Sequence, residues 1–258
     1  MFARFYALFK KEIKIFFSMP IAYAVIAVYT ALSGYFFSSI ADYYASISLR
    51  AMNQYARNTM DLSMVEGIFR PYFHNMVVVM ILMVPLLTMR LFAEEKREGT
   101  AELMFTYPVS DIAVVSAKFL SSFAIFAVML AASFVSFIIL RIGTAFEIGP
   151  VFTGFLGLLM LSGAFLMLGL FISSTTESQI VAGVLSFGAL LFFLVIPWAA
   201  QSATPFWAGV LKNIAAVQHF DSFAKGVLDT ADITYCISFF ALFFFLTLRV
   251  LESKQWRG

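Results

Sequence analysis

Residues 148–176 read IGPVFTGFLGLLMLSGAFLMLGLFISSTT, without one Asp, Glu, Lys or Arg. A helix needs roughly 20 apolar residues to cross the hydrocarbon core of a bilayer, and this run is longer. Glu177 interrupts it, and a second charge-free run, Ser178–Leu211, follows at once. Further runs lie at Ile15–Ala41, Pro71–Met89, Phe119–Leu140 and Ile233–Leu248. Backbone polar groups in lipid must be satisfied within their own segment, so such runs are helices. The expected fold is all-α: a single polytopic membrane domain with six transmembrane helices, near 20–41, 71–90, 115–140, 150–173, 179–199 and 232–250. The run Ser178–Leu211 is divided near Trp198, with Pro197, Gln201 and Pro205 marking the exit.

Composition agrees. Hydrophobic residues make up 62% of the chain and charged residues 12%, where soluble domains carry about 25% charged residues. This excludes most soluble enzyme classes, and no soluble catalytic domain fits beside six spans. The single cysteine, Cys236, excludes an internal disulfide and a cysteine-based metal cluster. Ile15–Ala41 is too long for a secretory signal, whose apolar core is about 7–15 residues.

An even number of spans puts both termini on one side, and basic residues are retained on the cytoplasmic side. With the N-terminus inside, the inner segments hold Arg4, Lys10, Lys11, Lys14, Arg90, Lys96, Arg97, Lys118, Arg249, Lys254 and Arg257, and the outer segments Arg50, Arg57, Arg70, Arg141, Lys212 and Lys225. The bias favours cytoplasmic termini in a cytoplasmic (inner) membrane. Within residues 1–19, Phe2, Phe5, Tyr6, Phe9, Ile13, Phe16 and Phe17 recur at helical spacing, with Lys10, Lys11 and Lys14 on the other face. That pattern is an N-terminal interfacial helix lying in the headgroup plane.

The outer segments differ in kind. Residues 42–70 are polar and mixed, with Tyr43, Tyr44 and Tyr55 as interface anchors, and 142–147 form a tight turn. In 200–231 the stripe Pro205, Phe206, Trp207, Val210, Leu211, Ile214 and Val217 precedes His219, Asp221, Lys225, Asp229 and Asp232. This predicts short re-entrant or interfacial helices on the outer face. His219 and Asp221 alone are too few ligands for a metal site, and none is expected. Of ionisable residues inside the spans, only His74 is singled out, beside Asn75, as a hydrogen-bonded structural residue. Ser133, Ser136, Ser162, Gly163, Gly169, Gly183 and Gly188 supply small surfaces for close helix packing. Pro85 is a hinge candidate in the second span.

The segment 92–110 after the second span is expected to be a surface helix. Glu94, Glu98 and Glu102 recur at i, i+4 and i+8, and like charges at that spacing repel. Lys96 and Arg97 offset part of this, Gly99 permits a bend, and Pro108 ends the helix. Such a helix suits a basic groove on a partner. Between the fourth and fifth spans, Ser174-x-x-Glu177 and Thr176-x-x-Gln179 have capping-box spacing.

The string from Arg90 to Leu103, RLFAEEKREGTAEL, followed by Thr106-Tyr-Pro-Val-Ser, resembles the signature of ABC-2 type transporter permeases, most closely the gliding-motility-type subgroup. Lys10-Lys-Glu-Ile, Phe16-Phe-Ser-Met-Pro-Ile-Ala-Tyr and Leu32-Ser-Gly-Tyr-Phe-Phe are similar to that subgroup too. So are Ser173-Ser-Thr-Thr-Glu-Ser-Gln-Ile, the string from His219 to Asp229 and that from Arg249 to Trp256. One departure is Ser18-Met19-Pro20, where the family has an adjacent serine-proline pair.

The resemblance implies a half-transporter that dimerises with an identical or different permease subunit and docks a separate ABC ATPase. It implies a coupling helix whose contacting residues are Glu94, Glu95, Lys96, Arg97, Glu98, Gly99, Thr100 and Glu102. Ser174, Thr176, Glu177 and Gln179 form a smaller second contact. Family members also pair with an auxiliary protein carrying a large extracytoplasmic domain. No Gly-rich phosphate-binding string occurs, so the chain is read as carrying no catalytic residue, metal or cofactor. ATP and magnesium belong to the partner ATPase, and nucleic acid is not a partner. The other functional classes are an ATP-independent secondary transporter or channel and a structural membrane anchor of an envelope complex. The first would need intramembrane charges, broken helices or repeat symmetry, none of which is read here. The second shares every feature of a permease subunit.

Overall fold

The computed structural model describes residues 2–51, 63–100, 110–202 and 204–255. Helix α1 (Phe2–Ser18) ends just before Met19, and α2 begins at Pro20 and runs to Ala51. Proline needs no N–H partner in a first helical turn, so Pro20 starts α2 cleanly while separating it from α1. The second span opens with one π-helical turn, Val65–Phe69, and continues as α3 (Arg70–Thr88). The short α4 (Ala93–Arg97) follows, then α5 (Asp111–Gly143), α6 (Ile148–Thr175), α7 (Gln179–Ser202), α8 (Pro205–Ile214), α9 (Ala216–Ala224) and α10 (Thr230–Gln255).

Six helical segments are long and apolar enough to cross a membrane: Pro20–Leu49, Val65–Arg97, Asp111–Gly143, Ile148–Thr175, Gln179–Ser202 and Thr230–Ser253. No strand occurs among the described residues. The chain is an all-α polytopic membrane protein.

Apolarity cannot say which helix is central, because lipid and protein interior are both apolar. Small residues and burial decide it. The segments of α3 and α6 are the two mostly buried, and the other four turn most of their surface outward. A Cβ at Gly154 of α6 would lie 2.1 Å from the Phe73 ring, and one at Gly169 would lie 2.3 Å from Thr88 Oγ1. These glycines let α6 approach α3 closely. Of the small residues singled out above, Gly163 and Gly183 make ordinary to tight contacts, and Gly188 meets nothing within 4 Å. Around this pair the many phenylalanines interlock. Phe137 of α5 stacks on Phe73 at 5.8 Å and meets Tyr72 and Phe37 edge-on at 5.0 and 5.1 Å, arrangements that suit the ring quadrupole. By contrast, Val184, Phe192 and Trp198 on α7 face outward, as a lipid-facing helix requires.

The bundle has two polar ends. One carries α1, α4 and the turn between α6 and α7. The other carries the π turn, α8, α9 and the start of α10.

Candidate functional site

At the end carrying α1, the chain leaves α3 through a turn at Met89–Phe92 and enters α4. The first N–H groups of a helix have no partner inside it. Here a neighbouring element supplies one: Ser173 Oγ, buried in the last turn of α6, accepts the N–H groups of Phe92 and Ala93 at 3.1 and 3.2 Å. It donates to Met89 O at 3.1 Å. Lys96 Nζ donates to Ser174 O. One serine and one lysine thus join the two turns at this end.

The second tie is ionic. Lys118, on the second turn of α5, is 2% exposed. Its Nζ lies 3.2 Å from Glu12 Oε1 and 2.8 Å from Glu95 Oε2. Lys11 adds contacts to Glu95 at 3.3 Å and Glu12 at 3.8 Å. Two cations and two anions from α1, α4 and α5 therefore neutralise one another, mostly out of solvent. A buried charge is tolerated only when paired, and the alternating signs of this quartet satisfy that.

The expected site residues divide accordingly. Glu95 and Lys96 are turned inward as braces. Arg97, Glu98, Gly99 and Thr100 are exposed, and Glu94 is half-buried. Glu98 donates its N–H to Glu94 O at 3.0 Å, keeping both on one face. Glu102 lies outside the described residues. The helix expected over 92–110 is interrupted early: α4 ends at Arg97, and Gly99 takes φ +69°, a left-handed conformation that favours glycine. Of the expected acidic face, Glu94 lies on this short helix and Glu98 at its C-cap.

Neither capping box forms at the second turn. Ser174 donates to Phe171 O at 2.6 Å inside α6. Ser178 instead caps α7, its Oγ accepting the Val181 N–H at 3.4 Å. Thr176 Oγ1 accepts the Ser178 N–H at 3.2 Å. Capping-box spacing lost to Ser178 because α6 extends to Thr175 and leaves only three linking residues. Glu177 and Ser178 are exposed, and Gln179 is half-buried. Pro85 is buried inside α3, its carbonyl accepting the Met89 N–H at 2.9 Å.

Ser173, Lys118, Glu12, Lys11 and Arg90 escaped the residue reading as site members. For Glu12 and Lys118 a signal existed. Glu12 is i−4 to Phe16, on the apolar stripe, and Lys118 falls within the third span. A charge on a buried register calls for an opposite charge.

At the other end, Asp221 of α9 accepts from Arg70 Nε and Nη2 at 2.8 and 3.1 Å and pairs with Lys225 at 2.6 Å. Arg70 also donates to Glu66 at 2.8 Å. Burial would raise the Asp221 carboxyl, but the hydrogen bonds from Lys225 and Arg70 outweigh it and hold it below its ordinary value. His74 Nδ1 lies 2.9 Å from Arg70 O. His219 turns the other way: Nδ1 is 2.7 Å from Asp232 Oδ1, Nε2 is 3.0 Å from Asn213 O, and the ring stacks on Tyr235 at 4.1 Å. His219 and Asp221 therefore diverge rather than share a ligand. Together they clamp α9 between α3 and α10.

No curated protein matches the chain. The family model for the ABC-2 family transporter protein matches residues 47–218, from the end of α2 into α9, and so includes α4 and the Ser173 turn. With two-thirds of the sequence and six apolar helices in agreement, the chain belongs to the ABC-2 transporter family.

Proposed function

We propose that this chain is a permease subunit of the gliding-motility-type subgroup, which converts ATP hydrolysis on a separate ATPase into export or mechanical transmission across the inner membrane. The observation that carries this reading is the braced, charged tip. Arg97, Glu98, Gly99 and Thr100 project from a turn fixed on one side by Ser173 and on the other by the Lys118 quartet. A protrusion that transmits movement must be rigid behind and polar in front, and this one is both. Nucleotide and magnesium bind on the ATPase, so the chemistry resides there, and this chain supplies positioning and transmission. Glu94, Glu98 and Glu102 meet a basic groove, Glu177 of the second turn makes the smaller contact, and Pro85 serves as the hinge above the turn. The excess of basic residues at this end supports cytoplasmic termini, with α1 along the headgroups. A second permease subunit and an auxiliary protein with a large extracytoplasmic domain complete the assembly.

The test is purification from cells that co-express the neighbouring genes, asking whether an ATPase co-elutes. Changing Glu94, Glu98 and Glu102 to Lys should abolish ATPase co-elution while the permease stays monodisperse. Undiminished co-elution would reject this face as the docking surface.

A further inference from the structure

The geometry points to a phospholipid headgroup site, for a phosphate with a primary ammonium, in the cavity between α1 and the α3–α4 turn. This cavity of about 350 Å³ is open on one side. Its apolar wall is Ile15, Phe16 and Met19, immediately before Pro20 starts the first span. Its polar wall carries Arg90, Glu94 and Glu98, beside the Lys118 quartet.

Arg90 is the reason to expect a ligand. It is only 6% exposed, yet no carboxylate lies within ion-pair distance among the described residues. Its guanidinium sits 5.0 Å from the Phe16 ring centroid and donates from Nη1 to the Met19 sulfur, a weak acceptor. Nε and Nη2 have no acceptor among the described residues. Of the nearby carboxylates, Glu12 and Glu95 are engaged by Lys11 and Lys118, and Glu94 and Glu12 act on the guanidinium from beyond ion-pair distance. A buried guanidinium with no carboxylate in contact among the described residues is costly, and its planar fork matches a phosphate.

Glu94 and Glu98 complete the complementarity. Neither makes an ion pair among the described residues. The backbone bonds Arg90 O to Glu94 N–H (3.2 Å) and Glu94 O to Glu98 N–H (3.0 Å) place the three residues at successive turns of one face. One turn is ~5.4 Å, comparable with the separation of phosphorus and nitrogen in an ethanolamine phosphate. In the permease without its ATPase, phosphate on Arg90 therefore brings the ammonium to Glu94 and Glu98, with the acyl chains leaving over Ile15 and Phe16. A trimethylated amine cannot donate these hydrogen bonds, and a glycerol headgroup carries no positive charge.

The test needs only the full chain, without an ATPase, so its failure and the failure of the docking reading are distinguishable. The detergent-purified protein is titrated with phosphatidylethanolamine, phosphatidylcholine or phosphatidylglycerol and bound lipid is counted by native mass spectrometry. Phosphatidylethanolamine should be retained about tenfold over phosphatidylcholine, the ratio expected of charge-assisted hydrogen bonds. Arg90→Gln should remove that preference, and Glu94→Gln with Glu98→Gln should bring phosphatidylethanolamine down to the phosphatidylglycerol level. Equal retention of the three lipids would overturn the site and leave the cavity to a partner's side chain. Thermal stabilisation by inorganic phosphate alone, equal to that by the lipid, would overturn it in favour of a free anion. Should Arg90→Gln fail to fold, the glutamate pair still decides, because an unchanged lipid preference there sinks the proposal.

Discussion

Lys118 shows how one charge can organise three elements. Its ammonium is desolvated near one end of the third span, held by Glu12 and Glu95 and lying 5.2 Å from the Phe92 ring centroid. Lys118→Met should destabilise the protein by roughly 3 kcal/mol, because the two carboxylates lose their buried counter-charge and keep the half-exposed Lys11 at 3.8 and 3.3 Å. Adding Glu12→Gln and Glu95→Gln to that variant should recover most of the loss in thermal unfolding in detergent. A triple variant no better than the single would mean the quartet is not a closed unit. This network was only half legible in the sequence. Lys118 stands among apolar residues and reads as a flank that fixes topology. Its partner Glu12 is 106 positions away, and no local period links the two. Arg90 is similar: its position near one end of a span was visible, while its lack of a carboxylate in contact among the described residues is a property of the folded bundle.

Among the elements, the six spans were the most legible, since the backbone's need for internal hydrogen bonds turns a long apolar run into a helix. Ends were less so. The helix α2 continues to Ala51 and the second span opens with a π turn, features set by neighbours such as Tyr44, against which a Cβ at Gly67 would clash. The caps at the α6–α7 turn went to Ser178 and the start of α4 to Ser173, the latter a tertiary contact that no spacing rule contains. Close packing of α6 on α3 makes a sharper test. Gly169→Leu places a side chain into Thr88 and should cost about 1–3 kcal/mol or more, whereas Gly188→Leu, with nothing within 4 Å, should leave the melting temperature nearly unchanged. Equal effects would contradict the placement of α6 in the interior.

For the molecule as a whole, the clamp on α9 makes stability depend on pH. The folded Asp221 carboxyl is held below its ordinary value of 3.8. Its contribution is therefore fully present above that pH and is lost as pH falls through the lower folded value. Melting temperatures of the parent protein and Asp221→Asn should differ by a constant amount from pH 7 down to about 5. They should converge below about pH 3.8. A gap that persists unchanged in acid would show that the carboxylate's charge is irrelevant to the clamp. The division into two polar ends was readable from the charge pattern, but which histidine meets which acid was not, because His219 and Asp221 leave α9 in different directions.

Ser173 belongs to one central helix and holds the chain just after the other. A push on the tip, in the coupling proposed above, would therefore not tilt α3 alone; it would drag α6 along. Under the proposed coupling the two interior helices would shift as one piston, sliding against the four that surround them.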